Sequence, residues 1–171
     1  MHTLFDNPRR LFLGVFLLCT GLIVFGLYLQ HGKGLEPCPM CILQRYAFVV
    51  AGVLGLLAAL HRPGILGQRL YALAMMVAAL AGAVVAARQS WLQHYPPKIV
   101  ECGPDLGFMF GSFSLGDALP MLFKGTGDCS KVLWRFLGLS IPEWALVFFA
   151  VIAVAALLLL RRPRVPARSP G

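Results

Sequence analysis

The chain has 171 residues, of which 58% are hydrophobic and only 13% charged, with a formal net charge of +8. A water-soluble domain carries about 45–50% apolar and about 25% charged residues, so the composition excludes an ordinary soluble globular domain and points to the bilayer. The basic pI of 9.7 calls for no nucleic-acid partner, because the way the charges are spread along the chain accounts for it.

A membrane-spanning helix needs about 20 predominantly apolar residues, and four segments qualify. Leu11–Leu29 is an uncharged run. It is too long for the core of a typical signal peptide and no small-residue cleavage site follows it, so it reads as a retained span. Residues 42–60 form the second span, with Gln44 and Arg45 near its start; residues 70–87 form the third, and 144–160 the fourth, closed by Arg161 and Arg162. The expected fold is an all-α membrane protein: a four-transmembrane-helix bundle forming one integral domain over residues 1–171. Four spans place both termini on one side. That side carries Arg9, Arg10, Arg62, Arg69, Arg161, Arg162, Arg164 and Arg168 against Asp6 alone, a balance of +7. The other side carries seven basic and six acidic residues, a balance of +1. The positive-inside rule then puts the termini and the turn after the second span in the cytoplasm. Residues 30–41 and 88–143 become outer loops, and residues 161–171 become a basic, Pro-rich cytoplasmic tail.

The first outer loop ends in Cys38-Pro39-Met40-Cys41, and the second holds Cys102 and Cys129. All four thiols face a compartment where disulfides persist. Four cysteines allow three connectivities. The closeness of Cys38 and Cys41 favours their local bridge and leaves Cys102 with Cys129. A C-x-x-C ring closes too short a loop to staple a fold, because disulfide stabilisation grows with loop length. It does keep two exchanging sulfurs in reach of each other. Cys41 is placed at the start of the second helix, where free N–H groups and the helix dipole favour a thiolate. Arg45 follows one turn later on the same face, either snorkelling to headgroups or donating to something polar that enters from the bilayer. A zinc site is disfavoured, because no second C-x-x-C exists, and no metal is expected.

Trp91, Trp134 and Trp144 fall at the ends of the second outer loop or just inside the fourth span, like an interfacial aromatic belt. Between the loop cysteines, residues 108–124 are apolar but broken by Gly111, Gly116 and Pro120, which predicts a short interfacial helix on the outer leaflet. Cys19, alone in the first span, reads as a small buried hydrophobe. His2, His31, His61 and His94 have no metal-ligand spacing; His94 stands out for its closeness to Arg88, Gln89 and the outer interface.

With C-P-M-C-I-L-Q-R-Y in the first outer loop, W-L-Q-H-Y-P after the third span, the Cys102/Cys129 pair, and G-D-C-S-K-V-L-W-R-F-L-G-L-S-I-P-E-W before the fourth span, the chain closely resembles the DsbB family over nearly its whole length. The resemblance implies a membrane enzyme of the bacterial inner membrane. Such an enzyme reoxidises a periplasmic thioredoxin-like oxidase of the DsbA type and passes the electrons to ubiquinone or menaquinone. Carried over by motif position, Cys102 forms the mixed disulfide with the partner and Cys129 completes that pair. Cys38 connects the two pairs, Cys41 faces the quinone, and Arg45 stands beside it. Some members carry a quinone-associated histidine near the outer end of the third span; the aligned residue here is Gln89, flanked by Arg88 and Ser90. A soluble oxidase near about −120 mV needs a still stronger acceptor, and the sequence has no flavin or haem motif. The rival readings are a vitamin K epoxide reductase-type thiol oxidoreductase, in which the C-x-x-C follows the loop pair, a non-catalytic scaffold with structural disulfides, and a reductant transporter.

Overall fold

The computed structural model describes residues 7–35, 37–96, 132 and 134–161. Cys102, Cys129, the expected interfacial helix over 108–124 and the tail from residue 162 lie outside them.

Four helices form the described fold: α1 (Pro8–Lys33), α2 (Pro39–His61), α3 (Ile65–His94) and α4 (Ile141–Arg161). Each is long and apolar enough to cross a bilayer, so the four-span helical bundle stands. Proline opens both α1 and α2 in their first turn, where its missing N–H leaves no bond unmade. Gly34, at φ 65°, ends α1, and the Leu35 N–H returns to the Leu29 carbonyl at 3.3 Å. Left-handed backbone at a helix end favours glycine. Arg62, at φ 46°, ends α2 in the same way.

α3 is longer than its apolar core, with 30 residues against the expected span of 70–87. At 1.5 Å per residue it reaches about 45 Å, beyond the roughly 30 Å of hydrocarbon. Hydropathy marks only the stretch that lipid requires, whereas the helix continues through Arg88-Gln89-Ser90, residues with adequate helix propensity and no breaker. Just before α4 the chain makes a short hairpin that the sequence reading had not separated from the loop. β1 (Arg135–Phe136) pairs antiparallel with β2 (Leu139–Ser140), across a two-residue turn at Leu137 (φ 52°) and Gly138 (φ 84°). Two positive φ values are what a tight hairpin turn demands.

In space the helices follow the chain. α1 packs on α2, α2 on α3 and α3 on α4, while α1 and α4 barely touch. The three packed seams are built from small residues. Ala51, Ala72, Ala79, Ala86 and Ala156 are fully buried. A Cβ on Gly55 would lie 2.9 Å from the Phe12 carbonyl oxygen, and one on Gly82 would run into the Phe149 ring. Without a hydrophobic force between helices in lipid, close backbone approach of this kind supplies the packing energy. Phe48 and Phe149 stack at 4.0 Å in the centre. Cys19, buried to 2% exposure, faces Gly52 and acts as the small core residue expected. Leu17, Val24, Val77, Leu80, Val84 and Val154 point outward, the apolar exterior that lipid requires.

Candidate functional site

The C-P-M-C motif forms the corner where α2 begins. Cys38 is the N-cap residue of α2, with extended backbone, and its sulfur accepts the Cys41 N–H at 3.4 Å. An N-cap side chain is placed to reach the N–H groups two or three residues ahead, and Pro39 fixes the first helical φ. The helix terminus therefore serves Cys38 directly. This refines the sequence expectation, which gave the free N–H groups to Cys41: as third residue of the helix, Cys41 supplies such a group. The two sulfurs lie 2.9 Å apart, against about 2.05 Å for a disulfide bond. Cys38 is 6% exposed, whereas Cys41 is partly open.

Arg45 lies one turn beyond Cys41 and reaches across to α1. Its Nη1 donates to Gln30 Oε1 at 2.7 Å and its Nη2 to the Gly26 carbonyl at 2.9 Å. The guanidinium has five N–H donors, so these two bonds fix the fork while leaving further donors. Simple snorkelling to headgroups does not describe an arginine held this way between two helices.

Arg45 and Cys41 share the wall of a cavity of about 470 Å³. It lies where α1 and α4 fail to close. Leu22, Ile23 and Gly26 of α1 form one side, Ile141, Ala145 and Phe148 of α4 the other, and Cys41, Gln44, Arg45 and Phe48 of α2 the back. Trp134, just before the hairpin, Phe136 within it and Trp144 also line the cavity. These aromatics form a continuous row: Phe25 meets Trp134 edge-on at 5.8 Å, Trp134 stacks on Phe136 at 5.7 Å, and Phe136 and Trp144 lie 6.2 Å apart. The Trp144 indole N–H donates to the Phe136 carbonyl at 3.0 Å. The expected belt of tryptophans is thus partly turned inward, because two of its rings line a cavity.

Gln89 stands elsewhere. It is 2% exposed and is not among the residues that line the cavity. Its Nε2 donates to Cys41 Sγ at 3.2 Å and to Cys38 Sγ at 3.3 Å. Gln44 Nε2 donates to Gln89 Oε1 at 2.7 Å. Gln44 was not singled out from the sequence; as a polar residue one turn into a span it gave a signal, but its partner lies 45 positions away. His94 sits at the end of α3, with Nε2 3.7 Å from Glu143 Oε1. Glu143 also accepts the Ser140 N–H at 2.6 Å and the Ser140 hydroxyl at 2.8 Å, so one carboxylate oxygen ties the end of the hairpin to the first turn of α4.

A thiol pair at a helix N-terminus, one sulfur lining an apolar cavity that it shares with a fixed guanidinium, defines a membrane thiol oxidoreductase of the four-helix type. Residues 8–159 match the family model described as disulfide bond formation protein DsbB. The chain is 58% identical over 164 residues to the disulfide bond formation protein B of Aromatoleum aromaticum, covering 96% of this chain and 99% of the relative. It is 56% identical over 159 residues to the protein of that name from Azoarcus sp., covering 93% and 96% respectively. The chain belongs to the DsbB family. It is a multi-pass bacterial inner-membrane protein that forms disulfide bonds.

Proposed function

We propose that the protein is a thiol:quinone oxidoreductase that reoxidises a periplasmic DsbA-type dithiol oxidase at the expense of ubiquinone or menaquinone, with both termini cytoplasmic and the cysteines periplasmic. The observation that carries this reading is the shared wall of Cys41 and Arg45 in an apolar cavity of about 470 Å³ between α1 and α4. Ligand pockets are typically about 300–1,000 Å³, mostly apolar, with a few placed polar groups, so the residues fit a quinone head group. Arg45 would hold a quinone oxygen through its remaining donors, and Trp134, Phe136 and Trp144 would flank the ring. The bound quinone supplies a two-electron, two-proton acceptor.

The protein's residues do the rest. The partner's dithiol reduces Cys102–Cys129 through a mixed disulfide at Cys102 and leaves as a disulfide. The Cys102–Cys129 dithiol then reduces Cys38–Cys41 by the same kind of exchange. Cys38 and Cys41 close their disulfide again, releasing two electrons and two protons, so each cycle converts one partner dithiol and one quinone into one disulfide and one quinol.

Purified protein mixed with a reduced thioredoxin-like oxidase and a short-chain quinone should bleach the quinone absorbance stoichiometrically with disulfide formed. Cys41→Ser should abolish that turnover while Cys102–Cys129 still accepts one pair of electrons. Normal turnover in Cys41→Ser would sink the reading.

A further inference from the structure

We propose that Gln89 is a catalytic residue acting on the sulfurs, as an uncharged hydrogen-bond donor shared between Cys38 and Cys41, and that Gln44 is the positioning residue that keeps its amide turned to them. The inference rests on the thiol-oxidase reading only for its consequence in turnover.

The geometry is specific. One Gln89 NH₂ group carries two N–H donors, and its nitrogen lies 3.3 Å from Cys38 Sγ and 3.2 Å from Cys41 Sγ. The donors can thus serve both sulfurs at once. Gln44 approaches from the opposite end of the same amide, 2.7 Å from Oε1. A donor there fixes which end of Gln89 meets the sulfurs, because the reverse orientation would set two NH₂ groups against each other. Both glutamines are at least 97% buried. Two amides that merely satisfied each other would spend their donors on each other; here the Gln89 donors go to sulfur.

Chemistry explains why an amide suits this place. Thiol–disulfide exchange runs through thiolates, and the charge passes between the two sulfurs during a cycle. An uncompensated anion in a low-dielectric site is costly. A donor that straddles the pair stabilises the charge on either sulfur without moving. When Cys41 carries its proton, the thiol can donate to Gln89 Oε1, 3.7 Å away. The amide therefore offers a partner to both protonation states while neither taking up nor releasing a proton. An imidazole here would titrate across physiological pH; Gln89 does not.

The test uses the full-length reduced protein in detergent and needs neither quinone nor partner. Iodoacetamide labelling of Cys38 and Cys41 is followed by peptide mass from pH 5 to pH 9, with thermal unfolding measured in parallel. Gln89→Leu should slow labelling of both sulfurs at pH 7 by about tenfold, the worth of one hydrogen bond. Gln89→Asn, which keeps the amide but shortens its reach, should lose the same and stands in if the leucine variant does not fold. Gln44→Leu should lose about threefold alone and nothing further on top of Gln89→Leu, since it acts through that residue. Gln89→His should add a step between pH 6 and 7 that the parent profile lacks. Unchanged labelling in folded Gln89→Leu and Gln89→Asn, or a Gln44 effect that adds fully, would overturn the proposal even where quinone turnover falls. Slowed labelling in a protein that reduces no quinone would leave it standing and remove the function proposed above.

Discussion

Three seams of the bundle are closed by small residues, and the fourth is held by rings. Between α1 and α2, Gly55 lets a helix backbone approach the Phe12 carbonyl, and between α3 and α4, Gly82 receives the tip of the Phe149 ring. Between α1 and α4 there is instead an aromatic row from Phe25 through Trp134 and Phe136 to Trp144, with the cavity beneath it. Closed seams give the bundle its stability, and the open one leaves an apolar cavity. Small side chains maximise contact by letting backbones meet, whereas large rings prop backbones apart and leave apolar volume between them.

The largest expected effect comes from breaking a closed seam. Gly82→Val would drive two methyl groups into Phe149, and overpacking of this kind costs about 3 kcal/mol at the upper end of its usual range. Thermal unfolding in detergent should show a clear fall in midpoint. A midpoint unchanged from the parent would mean the α3–α4 seam is looser than described. Filling the open seam should do the reverse. Ala145→Phe places a ring in the cavity, so short-chain quinone reduction should fall at least about tenfold, or about 1.4 kcal/mol, while the unfolding midpoint stays near that of the parent. Quinone kinetics together with a melt separate the two regions directly.

Ser140→Ala removes the hydroxyl that donates to Glu143 where the hairpin enters α4, and loss of one such hydrogen bond costs about 1 kcal/mol. It should lower the melting midpoint slightly and leave the quinone KM unchanged. Trp134→Ala is the smallest of the four. It removes the ring contacts with Phe25 and Phe136 at the edge of the cavity, so the quinone KM should rise about threefold, or about 0.65 kcal/mol, with kcat held. A kcat loss without a KM change would place Trp134 in the chemistry and not at the rim.

Much of this arrangement was legible in the sequence. Hydropathy located all four helices, since lipid imposes an apolar length that composition cannot hide. The C-P-M-C spacing and the lone Arg45 marked the corner where the cavity opens. The hairpin at Arg135–Ser140 was missed because two-residue strands have no periodicity to read. Gln89 was noticed only as a departure from a histidine. Its contact with both sulfurs depends on α3 running past its apolar segment, which hydropathy does not report. The partnership with Gln44 escaped because two neutral amides on different helices leave no charge pattern. Which sulfur caps α2 was a matter of register: three positions decide whether a side chain receives the helix N–H groups or supplies one.

The anchorage of Arg45 also sets a timetable for assembly. Gly26, Gln30 and Arg45 all belong to the first helical hairpin, so the guanidinium can be seated as soon as α2 has joined α1 in the membrane. Gln89 arrives about forty residues later in synthesis. Until α3 docks, the Cys38–Cys41 corner lacks its amide neighbour, so a chain interrupted between these events would carry a positioned cation beside an incompletely housed thiol pair.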